Sequence, residues 1–67
     1  MSEKLVKYIR RKYPHDSLDA GVTQFAALVG VSKGAVNKWV YLSRRPRYPT
    51  MLRIQKLTRG RMSLNDW

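Results

Sequence analysis

GVTQFAALVGVSKGAVNKW, residues 21–39, carries the pattern from which the fold is read. Apolar residues fall where two short helices must touch: Val22, Ala26 and Val29 in the first half, Val31, Val36 and Trp39 in the second. Between them, Gly30 sits where the chain must turn with positive φ. Ala26 is small where the helices would cross, and the Ser32 hydroxyl is placed to cap the second helix. That helix, about residues 33–42, carries Lys33, Asn37 and Lys38 on the face opposite Val36 and Trp39, or on its edge. Two helices joined in this way are the sequence form of a helix-turn-helix, a shape that fits a DNA major groove.

Upstream, Leu5, Ile9 and Tyr13 recur every four residues with Val6 and Tyr8 beside them. The spacing predicts an amphipathic helix from a Ser2 cap to about Lys12, ended by Pro14. Residues 14–21, PHDSLDAG, read as a turn-rich connection that tucks Leu18 into the core. Gly21 or Asp19 is the expected cap of a second helix over about residues 22–29. Downstream, SRRPRYP at 43–49 holds two prolines and three arginines and reads as a basic loop. Thr50 is then expected to cap a fourth helix over residues 51–59, with Met51, Ile54 and Leu57 on its apolar side and Gly60 as its stop. Ser63 opens one final turn, from which Leu64 and Trp67 pack back. No stretch alternates with period two, so the chain reads as all-α: a small bundle of four to five short helices, with residues 1–67 as a single domain.

Sixty-seven residues suffice for one small domain near the lower limit for unaided folding, and an apolar fraction of 43% allows a compact core. No cysteine is present and His15 is the single histidine, which removes disulfide staples and the usual zinc sets. Fourteen Lys and Arg against four Asp and Glu give a formal charge of +10. Such an imbalance predicts attraction to a polyanion, nucleic acid first and an anionic membrane surface second. No apolar run approaches the ~18 residues of a spanning helix, and residues 1–20 show no signal-peptide core. A chain that starts at Met1 is expected to be a whole small protein, working in the cytoplasm.

Specificity is expected from the third helix. Lysine donates to guanine O6 and N7, and asparagine pairs two-handedly with adenine N6 and N7. Ser32, Lys33, Gly34, Asn37 and Lys38 are therefore the candidate base contacts, Gly34 by letting backbone approach the groove floor. The alternative is a merely solvated polar face. Thr23 and Gln24, expected in the first turn of the second helix, and Arg44 and Arg45, just beyond the third, are the candidate phosphate contacts. Arg47 is a weaker one, and loop arginines are often only solubilising. Lys7, Arg10, Arg11 and Lys12 crowd the polar side of the first helix and suit steering, a membrane surface or an acidic partner. Trp39 reads as core; Tyr41 and Tyr48 read as half-buried or as phosphate donors. Asp16, Asp19 and Asp66 form no arguable acid–base pair, and there is no phosphate-cradling glycine loop, so no enzymatic activity, cofactor or metal is expected.

GVSKGAVNKW resembles the turn and recognition helix of the Cro and lambda-repressor-like helix-turn-helix family, particularly the short phage Cro proteins. PTMLRIQKLTRGRMSLNDW is similar to the C-terminal helix and final turn of all-α prophage regulators of that kind. The resemblance implies a five-helix DNA-binding fold in a bacterial host cell, and repression of a phage promoter from a partly palindromic operator in double-stranded DNA. It also implies base contacts at Ser32, Lys33, Gly34, Asn37 and Lys38. Gly34 departs from the pattern, having no side chain with which to read a base. The absence of a strand-like pattern after the third helix departs from Cro proteins that pair through a β-hairpin.

The leading expectation is a sequence-specific DNA-binding repressor that occludes its operator. Met62, Leu64 and Trp67 stand as candidates for a weak homodimer surface, formed in solution or only on DNA, or alternatively as closure of the core. The competing readings are an antitoxin or adaptor that uses the same fold to hold a protein, and a membrane-active cationic peptide.

Overall fold

Helix α1, Glu3–Lys12, forms where the four-residue spacing predicts it. Leu5 and Ile9 are fully buried, while Val6, Tyr8 and Tyr13 lie against the core at its margin. Glu3 in the first turn and Arg10, Arg11 and Lys12 in the last oppose the partial charges of the helix ends. Ser2 occupies the cap position but its hydroxyl caps nothing; its backbone N–H instead donates to Val40 O at 2.9 Å. Tyr13, preceding Pro14, leaves the helix at φ −125° and ψ 66°. The computed structural model describes residues 2–67.

Helix α2, Leu18–Val29, begins a full turn earlier than its apolar spacing suggests. Neither Gly21 nor Asp19 caps it. Ser17 does, its Oγ accepting from Ala20 N at 3.1 Å, so residues 13–17 alone make the connection from α1. Gly21, Val22, Phe25, Ala26 and Val29 form the buried face of α2. Gly21 is there because α1 passes very close: a Cβ at this position would stand 2.6 Å from Ile9 Cγ2. Replacing it by alanine forces the two helices apart, an overpacking cost of about 1–3 kcal/mol against a helix-propensity gain of about 1. At Gly34, by contrast, a Cβ would meet only Ser32 Oγ, at an ordinary 3.9 Å. Thermal melts should therefore show Gly21→Ala lowering Tm by up to about 10 °C and Gly34→Ala raising it slightly. A Gly21→Ala variant that gains stability as Gly34→Ala does would contradict the close crossing.

Gly30 ends α2 at φ 84° and ψ 32°, its N–H donating to Ala26 O at 2.9 Å. Helix α3, Lys33–Tyr41, follows after residues 30–32, with Val36, Trp39 and Val40 turned inward. Ser43, at φ 53°, then bends the chain so that Arg44 N donates back to Lys38 O at 3.2 Å.

Helix α4, Tyr48–Leu57, starts before the position assigned to a Thr50 cap. Arg47 holds the N-cap position, and Pro49 belongs to the first turn, where a missing N–H costs no helical bond. The basic loop is accordingly shorter, and its Pro46 is buried. Ile54 is fully buried, Met51 half-buried and Leu57 exposed, so Leu57 is not part of the apolar side. Thr58 takes the inward position beyond it. Its Oγ1 donates to Ile54 O at 2.8 Å and accepts from Met62 N at 3.0 Å, so the buried hydroxyl is satisfied. Gly60, at φ 83°, closes the helix end by donating to Gln55 O at 2.8 Å.

A single 3₁₀ turn, Leu64–Asp66, completes the chain; Ser63 N donates to Asp66 Oδ2 at 2.7 Å and Leu64 N to Gln55 Oε1 at 3.2 Å. Trp67 then packs edge-on against Trp39, centroids 5.9 Å apart. Met62 has no exposed surface and closes the core, which removes it from any surface between copies. The result is a small all-α bundle of four helices and one 3₁₀ turn, with no strand among the described residues. No helix among them is long and apolar enough to cross a membrane.

Candidate nucleic-acid interface

The geometry of α3 follows from how tightly its start is tied. Ser32 Oγ accepts from Ala35 N at 3.1 Å, so the hydroxyl proposed for a base contact is engaged as the helix cap. Arg53 of α4 reaches over and donates from Nη1 to Val29 O at 2.9 Å, covering the last carbonyls of α2 just before the Gly30 turn. A Cβ at Gly30 would lie 3.8 Å from that guanidinium, and the positive φ already favours glycine. Turn and helix start are thus fixed from both sides.

With Val36, Trp39 and Val40 buried, the outer stripe of α3 is Gly34, Lys38 and Tyr41, at i, i+4 and i+7, all exposed. Lys38 makes no ion pair among the described residues. Asn37 stands half-buried on the edge of the stripe, with its Oδ1 enclosed and without a hydrogen-bond partner. Lys33 lies apart from the stripe. Its Nζ is 2.9 Å from both carboxylate oxygens of Asp19, joining the first turn of α2 to the first turn of α3. Both partners are solvent-exposed, so the pair adds little stability, but it does halve the charge that α3 presents.

The sequence suggests a first helical turn for Thr23 and Gln24, where free N–H groups suit a phosphate. Because α2 starts at Leu18, both stand in its second turn, where main-chain N–H groups are already used within the helix. Both side chains remain exposed: Thr23 Oγ1 donates to Asp19 O at 3.1 Å, and Gln24 Nε2 to Asp16 Oδ2 at 2.6 Å. The first turn of α2 carries the acidic Asp19 and has its own Ser17 cap, which leaves less there for an external anion. Arg44 and Arg45 are exposed beyond the C-terminus of α3, beside a shallow cleft they share with Glu3 and Asp66. Those two carboxylates soften the field of the arginine pair.

The structure therefore gathers Gly34, Asn37 and Lys38 on one surface of α3, sets Lys33 and Ser32 at its start in other bonds, and keeps Arg44 and Arg45 at its far end. Tyr41, read from the sequence as half-buried or as a phosphate donor, belongs to the outer stripe and is 47% exposed, as its spacing from Gly34 and Lys38 allows. One feature was missed by sequence reasoning. Arg59 and Arg61 face the basic side of α1 across a groove, and no local signal links positions so far apart in sequence. Leu42 and Tyr48 also stand out, 62% and 59% exposed at either end of the loop between α3 and α4. Comparison with known proteins adds no relative: no family model matches the chain, and no curated protein or solved structure is significantly similar to it.

Proposed function

We propose that this chain is a sequence-specific DNA-binding transcriptional regulator, a repressor of the Cro type that acts in the cytoplasm of a bacterial host by occupying an operator. The observation that carries the reading is the outer stripe of α3: exposed, unpaired at Lys38, and presented by a helix whose start is fixed by the Gly30 turn and the Ser32 cap. A chain of formal charge +10 supplies the attraction to phosphate. Lys38 donates to a guanine edge and Tyr41 lends its hydroxyl to a base or the neighbouring phosphate. The unpartnered Oδ1 of Asn37 adds a further argument. A buried orphan acceptor costs about 1–3 kcal/mol, and an amide rotated into two bonds with an adenine edge recovers that cost.

Size favours paired binding. The longest dimension of the Cα trace is 28 Å, shorter than the ~34 Å between half-sites one helical turn apart, so two copies sit side by side on one face of the duplex. Each copy alone covers too few base pairs for a useful specificity ratio.

The absence of cysteine offers a direct test of the α3 placement. A Gly34→Cys variant accepts a thiol-linked, DNA-cleaving metal chelate at a position where a Cβ meets only Ser32 Oγ, at 3.9 Å. On duplex that the protein binds, cuts should cluster at a few base pairs within the site. Uniform cutting, or the same pattern from a chelate on Leu28→Cys in α2, would remove α3 from the groove.

A further inference from the structure

A larger group of basic side chains than α3 carries lies elsewhere on the molecule. Lys4, Lys7, Arg11 and Lys12 of α1 face Arg59 and Arg61, just past α4, across an open cleft of about 910 Å³. These six are drawn from the chain's fourteen Lys and Arg, and no acidic side chain lines the cleft among the described residues. Of the six, Lys4 alone pairs with a carboxylate among the described residues, that of Asp66 at 3.9 Å. No residue of α3 or of the loop after it takes part in the lining.

Both walls are held in place. Arg59 adopts φ 54°, a left-handed conformation unusual for a residue with a side chain, and Gly60 follows at φ 83°. The bonds from Gly60 N to Gln55 O and from Met62 N to Thr58 Oγ1 lock that turn, and the fully buried Met62 fixes the strand of chain that carries Arg61. On the other wall, Lys4, Lys7 and Arg11 succeed one another at i, i+3 and i+7, a row about 10 Å long. Tyr8 also lines the cleft, its ring packed edge-on against Phe25 with centroids 5.8 Å apart. Burial pushes its phenol above the ordinary 10.0, with Arg61 opposing, so the hydroxyl keeps its proton and can donate. Clustering like charges along a rigid groove carries a repulsive cost that an anionic occupant relieves. A row of cations suits a linear polyanion of regular charge spacing, and duplex DNA carries a phosphate about every 3.4 Å of axis on each strand. Arginine on both walls adds forked donors matched to phosphate oxygens.

We propose that the groove between α1 and the end of α4 is a second nucleic-acid site, one that grips the phosphodiester backbone of duplex DNA without reading its sequence. The groove supplies affinity and the α3 stripe supplies preference. This inference rests on the DNA-binding reading above and goes beyond it in assigning a site that contains no α3 residue.

The test compares two charge-matched variants. Lys7→Gln with Arg11→Gln empties part of the groove; Arg10→Gln with Lys56→Gln removes the same two charges from exposed positions outside it. The probe is a random-sequence duplex, titrated by fluorescence anisotropy over a series of salt concentrations. The groove pair should lower the slope of log Kobs against log salt by about 2 and weaken binding at physiological salt by about 30-fold. The control pair should change the slope by less than half as much, and both variants should keep the parent's circular dichroism spectrum and the parent's preferred sequence. If the unaltered chain does not hold the duplex, the DNA-binding reading fails and the groove assignment with it. If the chain holds the duplex and both pairs shift the slope equally, or neither does, the groove assignment alone fails.

Discussion

Phe25→Ala should leave most of the protein unfolded at 37 °C. Phe25 is the largest of the fully buried side chains, with no exposed surface, and it joins α2 to α1 through its edge-on contact with Tyr8. Truncating a buried phenylalanine costs about 3–5 kcal/mol from lost burial and the cavity left behind. A domain of 67 residues commands only about 3–10 kcal/mol in total. No disulfide and no metal cluster among the described residues offsets such a loss. Circular dichroism melts should place Tm at least about 15 °C below the parent. Leu57→Ala is the informative control, because Leu57 shares the apolar spacing of α4 yet is 40% exposed. It should stay within about 0.5 kcal/mol of the parent. Equal losses at the two positions would mean that α4 packs in a different rotation.

The second large effect concerns preference rather than stability. Asn37→Ala combined with Lys38→Ala should abolish discrimination between a preferred duplex and a scrambled one while the fold persists. Each good base contact is worth about 1–3 kcal/mol of discrimination, so the ratio of the two affinities should fall on the order of 100-fold or more. Affinity for scrambled DNA should fall far less, by the single charge lost at Lys38. Stability should hold or rise, since Lys38 is exposed and the Asn37 Oδ1 is an unpartnered buried acceptor. If the double variant keeps the parent's preference, α3 is not the reading element. The exposed Leu42 and Tyr48, flanking the loop after α3, would then make a protein partner the better explanation of the same fold.

Local chemistry made much of this architecture legible. The Gly30 turn, the Ser32 cap and the inward Val36 and Trp39 each depend on neighbours within four residues, and each stands as the spacing predicts. The start of α2 was misplaced for a local reason as well. Asp19 and Gly21 looked like caps, but Ser17 lies one turn earlier, and Gly21 serves a helix crossing that only the packed structure reveals. Pro49 suggested loop, although a proline in a first turn is compatible with helix. Leu57 fitted the period of α4; the helix ends at that residue, and the turn through Arg59 and Gly60 hands the inward position to Thr58.

On the candidate surface, residue types were readable and bonds were not. Lysine at position 33 has the right chemistry for a base, but Asp19 arrives from another helix to claim it. The groove of α1 and α4 lies further out of reach. Its walls are more than forty residues apart in sequence, and nothing short of the tertiary arrangement brings Arg59 and Arg61 to face Lys7 and Arg11.

The most direct test of the central claim is selection of bound duplexes from a random double-stranded DNA pool at physiological salt, followed by sequencing. A sequence-reading regulator should return a partly palindromic motif with half-sites about one helical turn apart. Recovery of a pool indistinguishable from the input would contradict it, leaving a chain that holds DNA by charge alone.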